Sequence, residues 1–383
     1  MSPVAPAGSV GDGALARAAR FSRVRDRMRE SGVEVLLLSL GADLPWLTGY
    51  EAMPLERLTM LVLPVDDQAT LVVPELEAPR VAHDARLFAL RPWAELEQPA
   101  EVVAALVGKR TRLAISDRCW ASHLLELQGS IPSAHWRAAR EVVGPLRAVK
   151  DADEVAALCA AGAAADRVAV ALLAGEIALV GRTEAEVSAE ISRRLLDSGH
   201  DRVNFAIVGS GPNSASPHHE PGPRVIGRGE AVVCDFGGTL HLGDGVGYCS
   251  DTTRTVVTGD PGPEFLELYE ILRLAQEAAV AAAVVGTPCE QVDRAGRDPI
   301  TAAGYGRGFI HRIGHGIGIE EHEDPYMVEG NPTPLAAGHA FSVEPGIYLP
   351  GRWGVRLENI VLCTDDGADV LNRSSLDLRI VRG

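Results

Sequence analysis

Five residues in the C-terminal part of the chain have the types to do chemistry together: Asp235 in VVCDFGG, Asp251 in GYCSDTTRT, His315 in HRIGHGIG, Glu344 in FSVEPGIY and Glu358 in GVRLENIV. Each sits in a glycine-rich or strand-like phrase. Four carboxylates and one imidazole are too many charges to bury without compensation. An isolated buried carboxylate costs several kcal/mol, or its pKa shifts until it is neutral. Two divalent cations would offset four carboxylate charges with little remainder. Carboxylate-rich metal pairs, with ions roughly 3.5–4 Å apart, activate a bridging water for hydrolysis.

Taken singly, the five are less telling. Asp235 is expected to end an apolar strand, and the two glycines after it would let the backbone bend away while the carboxylate faces a site. Asp251 opens a β-branched run. Between them lies GGTLHLGDGVGYCS, in which Asp244 reads as a turn residue before Gly245. His315 has three glycines around it in five residues, which permits close backbone approach to a ligand. Its imidazole suits Mn, Co, Zn or Fe. Seven of the eleven histidines fall between residues 200 and 322, a density that favours a site. In VRLENIV, strand alternation puts Arg356 and Glu358 on one face, so Arg356 would orient Glu358. Glu344 precedes Pro345-Gly346, which ends or bends its strand. Cys234 and Cys249 read as small buried neighbours of the acids.

The elements that must position these residues are expected as follows. A lead-in, MSPVAPAGSVGDGALARAARF, reads as disordered, and residues 16–31 look helical. VEVLLLSL (33–40) has strand length, residues 59–65 and 69–74 form a hairpin, and 112–116 is a short strand. A domain boundary is expected in GPLRAVKDAD (144–153), where a Gly-Pro turn gives way to a helix capped by Asp151 or Asp153 and running to about Ala174. The next helix opens at Thr183 with Glu186 in a capping box, carries Val187, Ile191 and Leu195 on one face, and closes at Gly199. From residue 203 onward strands dominate: NFAIVGS, AVVCDFGG, TRTVVTG, AFSVEPGIYL, VRLENIVLCT and ADVLNRSS. One long helix, from about Pro263 to Val285, interrupts them. That order implies an antiparallel sheet covered by helices, an α+β arrangement, with domains at 1–147 and 148–383.

A net charge of −16 argues against nucleic acid or an anionic membrane as partner. No segment is expected to span a membrane, because the apolar stretch from Val155 to Val180 is broken by Asp166, Arg167 and Glu176. The N-terminus lacks the apolar run of a secretory signal. Six dispersed cysteines without a CxxC pair suggest reduced thiols in the cytoplasm.

The order Asp, Asp, His, Glu, Glu and the phrases DFGG, SDTTRT, GHGIG, EPGIY and RLEN resemble the pita-bread metallopeptidases. These include Xaa-Pro dipeptidase (prolidase), aminopeptidase P and methionine aminopeptidase. FSRVRDRMRESGVEVLLLS and LPWLTGY are similar to the creatinase-like domain that methionine aminopeptidases lack, which favours the first two. The resemblance implies a C-terminal pita-bread fold preceded by a smaller N-terminal α/β creatinase-like domain. It implies hydrolysis of the bond before proline in small peptides, by a dipeptidase or an aminopeptidase. Two divalent ions per chain would be held by Asp235, Asp251, His315, Glu344 and Glu358, manganese first, with cobalt, zinc or iron as alternatives. Asp251 and Glu358 would bridge them, and Glu344 would also take the proton of the attacking water. His218, rather than His219, and His322 would hold substrate or stabilise the tetrahedral intermediate. His311 and Arg356 would line the substrate side. The segment near HLGDG is longer than the family pattern. Creatinase-like amidinohydrolases and non-catalytic peptide-binding proteins share the fold but do not keep all five ligands. A homodimer is expected, in which residues 1–147 help close the neighbour's channel and the loop LPWLTGYEAMPLER (44–57) reaches it.

Overall fold

The computed structural model describes residues 13–243 and 245–381. The chain divides between Arg147 and Ala148 into two compact units.

The first unit contains helix α1 (Gly13–Ser31), which begins inside the stretch expected as a disordered lead-in; the residues before it lie outside the described ones. A mixed six-stranded sheet follows, formed by β1 (Val35–Leu38), β2 (Met60–Pro64), β3 (Ala69–Pro74), β4 (Phe88–Trp93), β5 (Arg112–Ile115) and β6 (His135–Ala138). The spatial order is β4-β3-β2-β1-β5-β6. β2 and β3 form the expected antiparallel hairpin, while β1 runs parallel to β5. All four residues of β1 are buried, which explains its continuous apolar run. The helices are α2 (Asp43–Thr48), α3 (Pro99–Val107), α4 (Ala121–Ser130) and α5 (Arg140–Ala148). Two expectations fail here. Residues 44–48 of segment 44–57 belong to helix α2 and not to a loop: Leu44 to Thr48 are buried, and Arg20 Nη1 donates to Trp46 O at 3.0 Å. The apolar LPWL draws this segment into the core of its own unit. The Gly-Pro pair at 144–145 lies inside α5 and makes no turn.

In the second unit, α6 (Ala152–Leu173) is capped by Asp151 and α7 (Glu184–Asp197) by Thr183, each with a reciprocal capping box through Glu154 and Glu186. α6 is, contrary to expectation, long and apolar enough by length and composition to cross a membrane. Its inner face nevertheless packs Ala165, Val168 and Leu172 into a protein core, and Asp166 accepts from the backbone N–H of Ser374. The first sheet comprises β7 (Arg202–Ser210), β8 (Ala231–His241), β9 (Gly247–Cys249) and β10 (Thr252–Val257). Helices α8 (Pro263–Ala282) and α9 (Cys289–Ala302) come next. The remaining strands are β11 (Gly314–Gly316), β12 (Glu323–Met327), β13 (Ala340–Val343), β14 (Gly346–Leu349), β15 (Trp353–Arg356), β16 (Asn359–Thr364) and β17 (Gly367–Val370). These form a five-stranded sheet, β12-β11-β13-β16-β17, and a β14-β15 ribbon, with every strand pairing antiparallel. Helices α6 and α7 bury their apolar faces against β8 and β10, and α8 and α9 against β13 to β16.

Helix α9 was not expected. Its inward residues Cys289, Val292, Asp293, Gly296 and Ile300 keep helical spacing, but two of the five are not apolar. Both long C-terminal strands are broken in two, at Glu344-Pro345 and at Leu357-Glu358, and Leu357 N donates to Pro345 O across the breaks. β8 and β9 pair antiparallel on either side of the HLGDG segment, with His241 opposite Gly247, and the turn expected at Asp244 lies outside the described residues.

Candidate metal centre

The five candidate residues come from strand interiors and strand ends. Asp235 lies within β8, not at its end, directly opposite Thr253 of β10. The glycines after it serve close packing and not a bend. A Cβ on Gly237 would fall 2.1 Å from Ser250 O, and one on Gly238 would fall 2.5 Å from Arg202 O. Asp251 immediately precedes β10. His315 is the middle residue of β11, where a Cβ on Gly314 would meet Ser342 O at 1.8 Å. Glu344 and Glu358 occupy the two strand breaks. The Glu344 N–H donates to Ile313 O at 2.8 Å, and that of Glu358 to Thr253 O at 3.2 Å.

All five line one cleft of about 720 Å³, together with Phe205, Ile207, His218, His311, His322 and Arg356 among others. Ligand atoms of Asp251, His315 and Glu358 all lie within 4.8 Å of one another. His315 Nε2 is 3.2 Å from Glu344 Oε1 and 3.9 Å from Asp251 Oδ2. The other ring nitrogen, Nδ1, is 3.1 Å from Gly316 O. A carbonyl only accepts, so Nδ1 carries a proton; Nε2, which faces the carboxylates, is the nitrogen that a cation would meet in place of the proton it shares with Glu344.

The electrostatics show how strongly burial and mutual repulsion act on the acids. Burial raises the pKa of Asp235, with Arg356 opposing and Glu344 adding to the rise. Burial and then the adjacent Glu358 and Asp235 carboxylates hold Asp251 well above the carboxylate range. Burial, Glu344 and Asp235 push Glu358 up to about 8. Glu344 goes the other way: burial alone would raise it, but the hydrogen bond with His315 pulls it down to about 2. Asp235 Oδ1 is buried and accepts no hydrogen bond from the described residues. Crowded carboxylates that cannot all ionise, an orphaned buried oxygen and an imidazole nitrogen aimed among them make a donor set that fits divalent cations.

The structure also places the expected histidines. His218 lines the cleft, whereas His219 turns to Glu184 at 2.7 Å. The rings of His322 and His315 lie 3.9 Å apart, and lost solvation, then His315 and Arg312, push His322 down to about 4. His311 donates from Nδ1 to Arg312 O at 2.7 Å, which leaves Nε2 to accept from Tyr348 Oη at 2.9 Å.

Residues 156–365 match the model described as Metallopeptidase family M24, and residues 20–149 that of the Creatinase/Prolidase N-terminal domain. The chain belongs to metallopeptidase family M24. It is 42% identical to a "Probable dipeptidase PepE" of Mycobacterium tuberculosis, over 92% of this chain and 93% of the relative. It is 34% identical to the "Xaa-Pro dipeptidase" of Lactobacillus helveticus, over 94% and 98%. Its fold superposes on the crystal structure of dipeptidase PepE from Mycobacterium ulcerans with a TM-score of 0.90 at 41% identity, covering 96% and 99% of the two chains. The chain is thus a metallopeptidase with a creatinase-type N-terminal domain and the pita-bread fold.

Around this M24 centre lies a layer of residues that sequence reasoning missed or misassigned. Arg356 does not hold Glu358. Its Nη2 pairs with Asp235 Oδ2, its Nη1 donates to Tyr348 Oη at 2.9 Å, and its Nε donates to Thr253 Oγ1 at 3.1 Å. The strand break at Leu357 removes the alternation that would have put Arg356 beside Glu358. Instead Thr253, fully buried, donates its hydroxyl to Glu358 Oε2 at 2.6 Å. Ser342 Oγ supports both His315 N, at 3.0 Å, and Glu344 Oε1, at 3.2 Å. Tyr348 and Thr253 stand inside the quoted phrases EPGIY and SDTTRT, so position was the only signal they carried.

Proposed function

We propose that this M24 protein is a dinuclear-metal dipeptidase that cleaves the bond before proline in Xaa-Pro dipeptides. The observation that carries the reading is the convergence of four carboxylates and His315 Nε2 on one cleft, with Asp235 Oδ1 buried and unpaired. The names of the relatives, probable dipeptidase and Xaa-Pro dipeptidase, support the substrate class. Asp235, Asp251, His315, Glu344 and Glu358 hold the ions, manganese first. Such ions, when bound, polarise the scissile carbonyl and make a water more acidic. Glu344 accepts the proton of the attacking water at its carboxylate. His218 and His322 donate to the oxygen on which charge develops. His311 is neutral because burial lowers its pKa, and Tyr348 fixes its tautomer, so it orients substrate without adding charge. A cytoplasmic homodimer is part of the same proposal, and light scattering tests the dimer.

The test is direct. Chelated protein is reloaded with Mn, Co or Zn and offered Xaa-Pro dipeptides beside Xaa-Pro-Yaa tripeptides, with metal counted by elemental analysis. Two ions per chain and preferential dipeptide hydrolysis are expected. Faster tripeptide cleavage makes the protein an aminopeptidase. A metal-loaded protein inactive on both refutes the reading.

A further inference from the structure

Glu184, at the first position of α7, has no solvent exposure and lies outside the cleft lining. A buried carboxylate is retained only where its lone pairs are filled. This one accepts from Ser210 N at 2.8 Å, from Ser210 Oγ at 2.7 Å, from Asn213 Nδ2 at 3.1 Å on each oxygen, and pairs with His219 Nε2 at 2.7 Å. The α7 N-terminus is already capped by Thr183, so Glu184 is not needed there. Every one of these partners belongs to the segment 210–219 that delivers His218. The same segment is tied on its other side. Ser214 Oγ accepts from Gly354 N at 2.8 Å, and Pro217 O accepts from Arg356 Nη1 at 3.3 Å. His218 thus stands between Pro217, held by the arginine that pairs with Asp235, and His219, held by Glu184.

We infer that Glu184 and His219 are a positioning pair that fixes His218 at the cleft, an inference that rests on the peptidase reading above. His219 does not touch substrate. It acts by denying the loop the freedom to swing His218 out of reach of the reacting carbonyl.

The test uses the full-length, metal-loaded protein. His219→Ala should lower kcat/KM about 10- to 10²-fold at unchanged metal content, the scale of a small misplacement of a reacting group. His219→Gln, whose amide can still donate to Glu184, should recover most of that loss. In a His218→Ala background, His219→Ala should cost no more than about twofold further, because coupled residues are not additive. A full additional loss in the double variant overturns the inference. Deuterium uptake of segment 211–222 in metal-free protein reads the clamp without catalysis: uptake should rise in His219→Ala and return in His219→Gln. Unchanged uptake overturns the clamp, whereas an inactive wild type with the expected uptake pattern sinks only the peptidase reading.

Discussion

Replacing Thr253 by valine tests whether a single buried hydroxyl tunes the metal centre. Valine keeps the branched shape of a fully buried side chain, so packing on β10 is preserved. It deletes the proton given to Glu358 Oε2 at 2.6 Å and the acceptor for Arg356 Nε at 3.1 Å. Without metal, Glu358 titrates near 8 and is largely protonated at pH 7. Its hydrogen bond is then one between neutral groups, contributing about 1 kcal/mol, whereas to the ionised carboxylate that a cation requires it contributes about 1.5–3 kcal/mol. The difference, about 0.5–2 kcal/mol, falls on the metal-bound state and corresponds to binding weaker by more than about twofold and up to about 30-fold. Competition titration with a fluorescent chelator at pH 7 measures it, and Thr253→Ser should bind like wild type. Should folded Thr253→Val hold metal within about twofold of wild type, the hydroxyl does not orient Glu358 and the reasoning fails.

Three further outcomes are expected. Glu344→Gln should lower turnover by orders of magnitude, since it removes a ligand charge and the proton acceptor together; near-normal turnover in steady-state assays rules out that role. His218→Ala and His322→Ala should each keep full metal content by elemental analysis while losing roughly 10²–10³ in rate, the range for a removed oxyanion donor; unchanged rates return these histidines to a structural role. Burial, then the Lys150 ammonium, hold His339 down at about 4, so the unfolded chain takes up its proton near the ordinary histidine value while the folded chain does not. Stability therefore falls as pH drops from about 6.5 towards 4, by up to about 3 kcal/mol from this group. His339→Asn, which keeps an acceptor for Ala336 N–H, should flatten that acid limb in denaturant titrations; an unchanged limb places the acid sensitivity elsewhere.

Local signals were legible in the sequence and long-range ones were not. The capping box at Thr183 is a pair three residues apart and forms as its spacing implies, and of the two aspartates offered as the α6 cap it is Asp151 that caps, in a box with Glu154 that was not read from the sequence. β1 and the β2-β3 hairpin follow from apolar runs and the turn between the latter two. Helix α9 escaped because its inner face carries Asp293 and Gly296. The glycine is there because any Cβ would fall 2.1 Å from Ile313 Cδ1. The aspartate is there because it receives Ile313 N and the Arg297 guanidinium, which also holds Phe309 O and His311 O. Ile313, which figures in both, lies in the segment just before β11, and that segment meets α9 only in space. The convergence of the five candidate residues on one cleft was legible from motif order. The pairing of Arg356 with Asp235 was not, because alternation within a strand says nothing once the strand breaks. In segment 44–57 the sequence showed aromatic residues beside charged ones and did not reveal that Trp46 is wholly buried in a short helix.

The Arg356–Asp235 pair closes over 121 residues, and Thr253 reaches Glu358 over 105. Contacts this distant form late, after the entropy of closing long loops has been overcome. No single hairpin of the second unit carries all five candidate residues: Asp235 sits in β8, Asp251 just before β10, His315 in β11, and Glu344 and Glu358 at the two strand breaks. A short segment therefore cannot hold the whole set for a cation, as a zinc-finger loop does. Partly folded chains, whose exposed backbone is itself a potential substrate, coexist with one another without an active peptidase among them. In refolding experiments, added metal should slow unfolding and leave the folding rate unchanged, the signature of an interaction absent from the transition state.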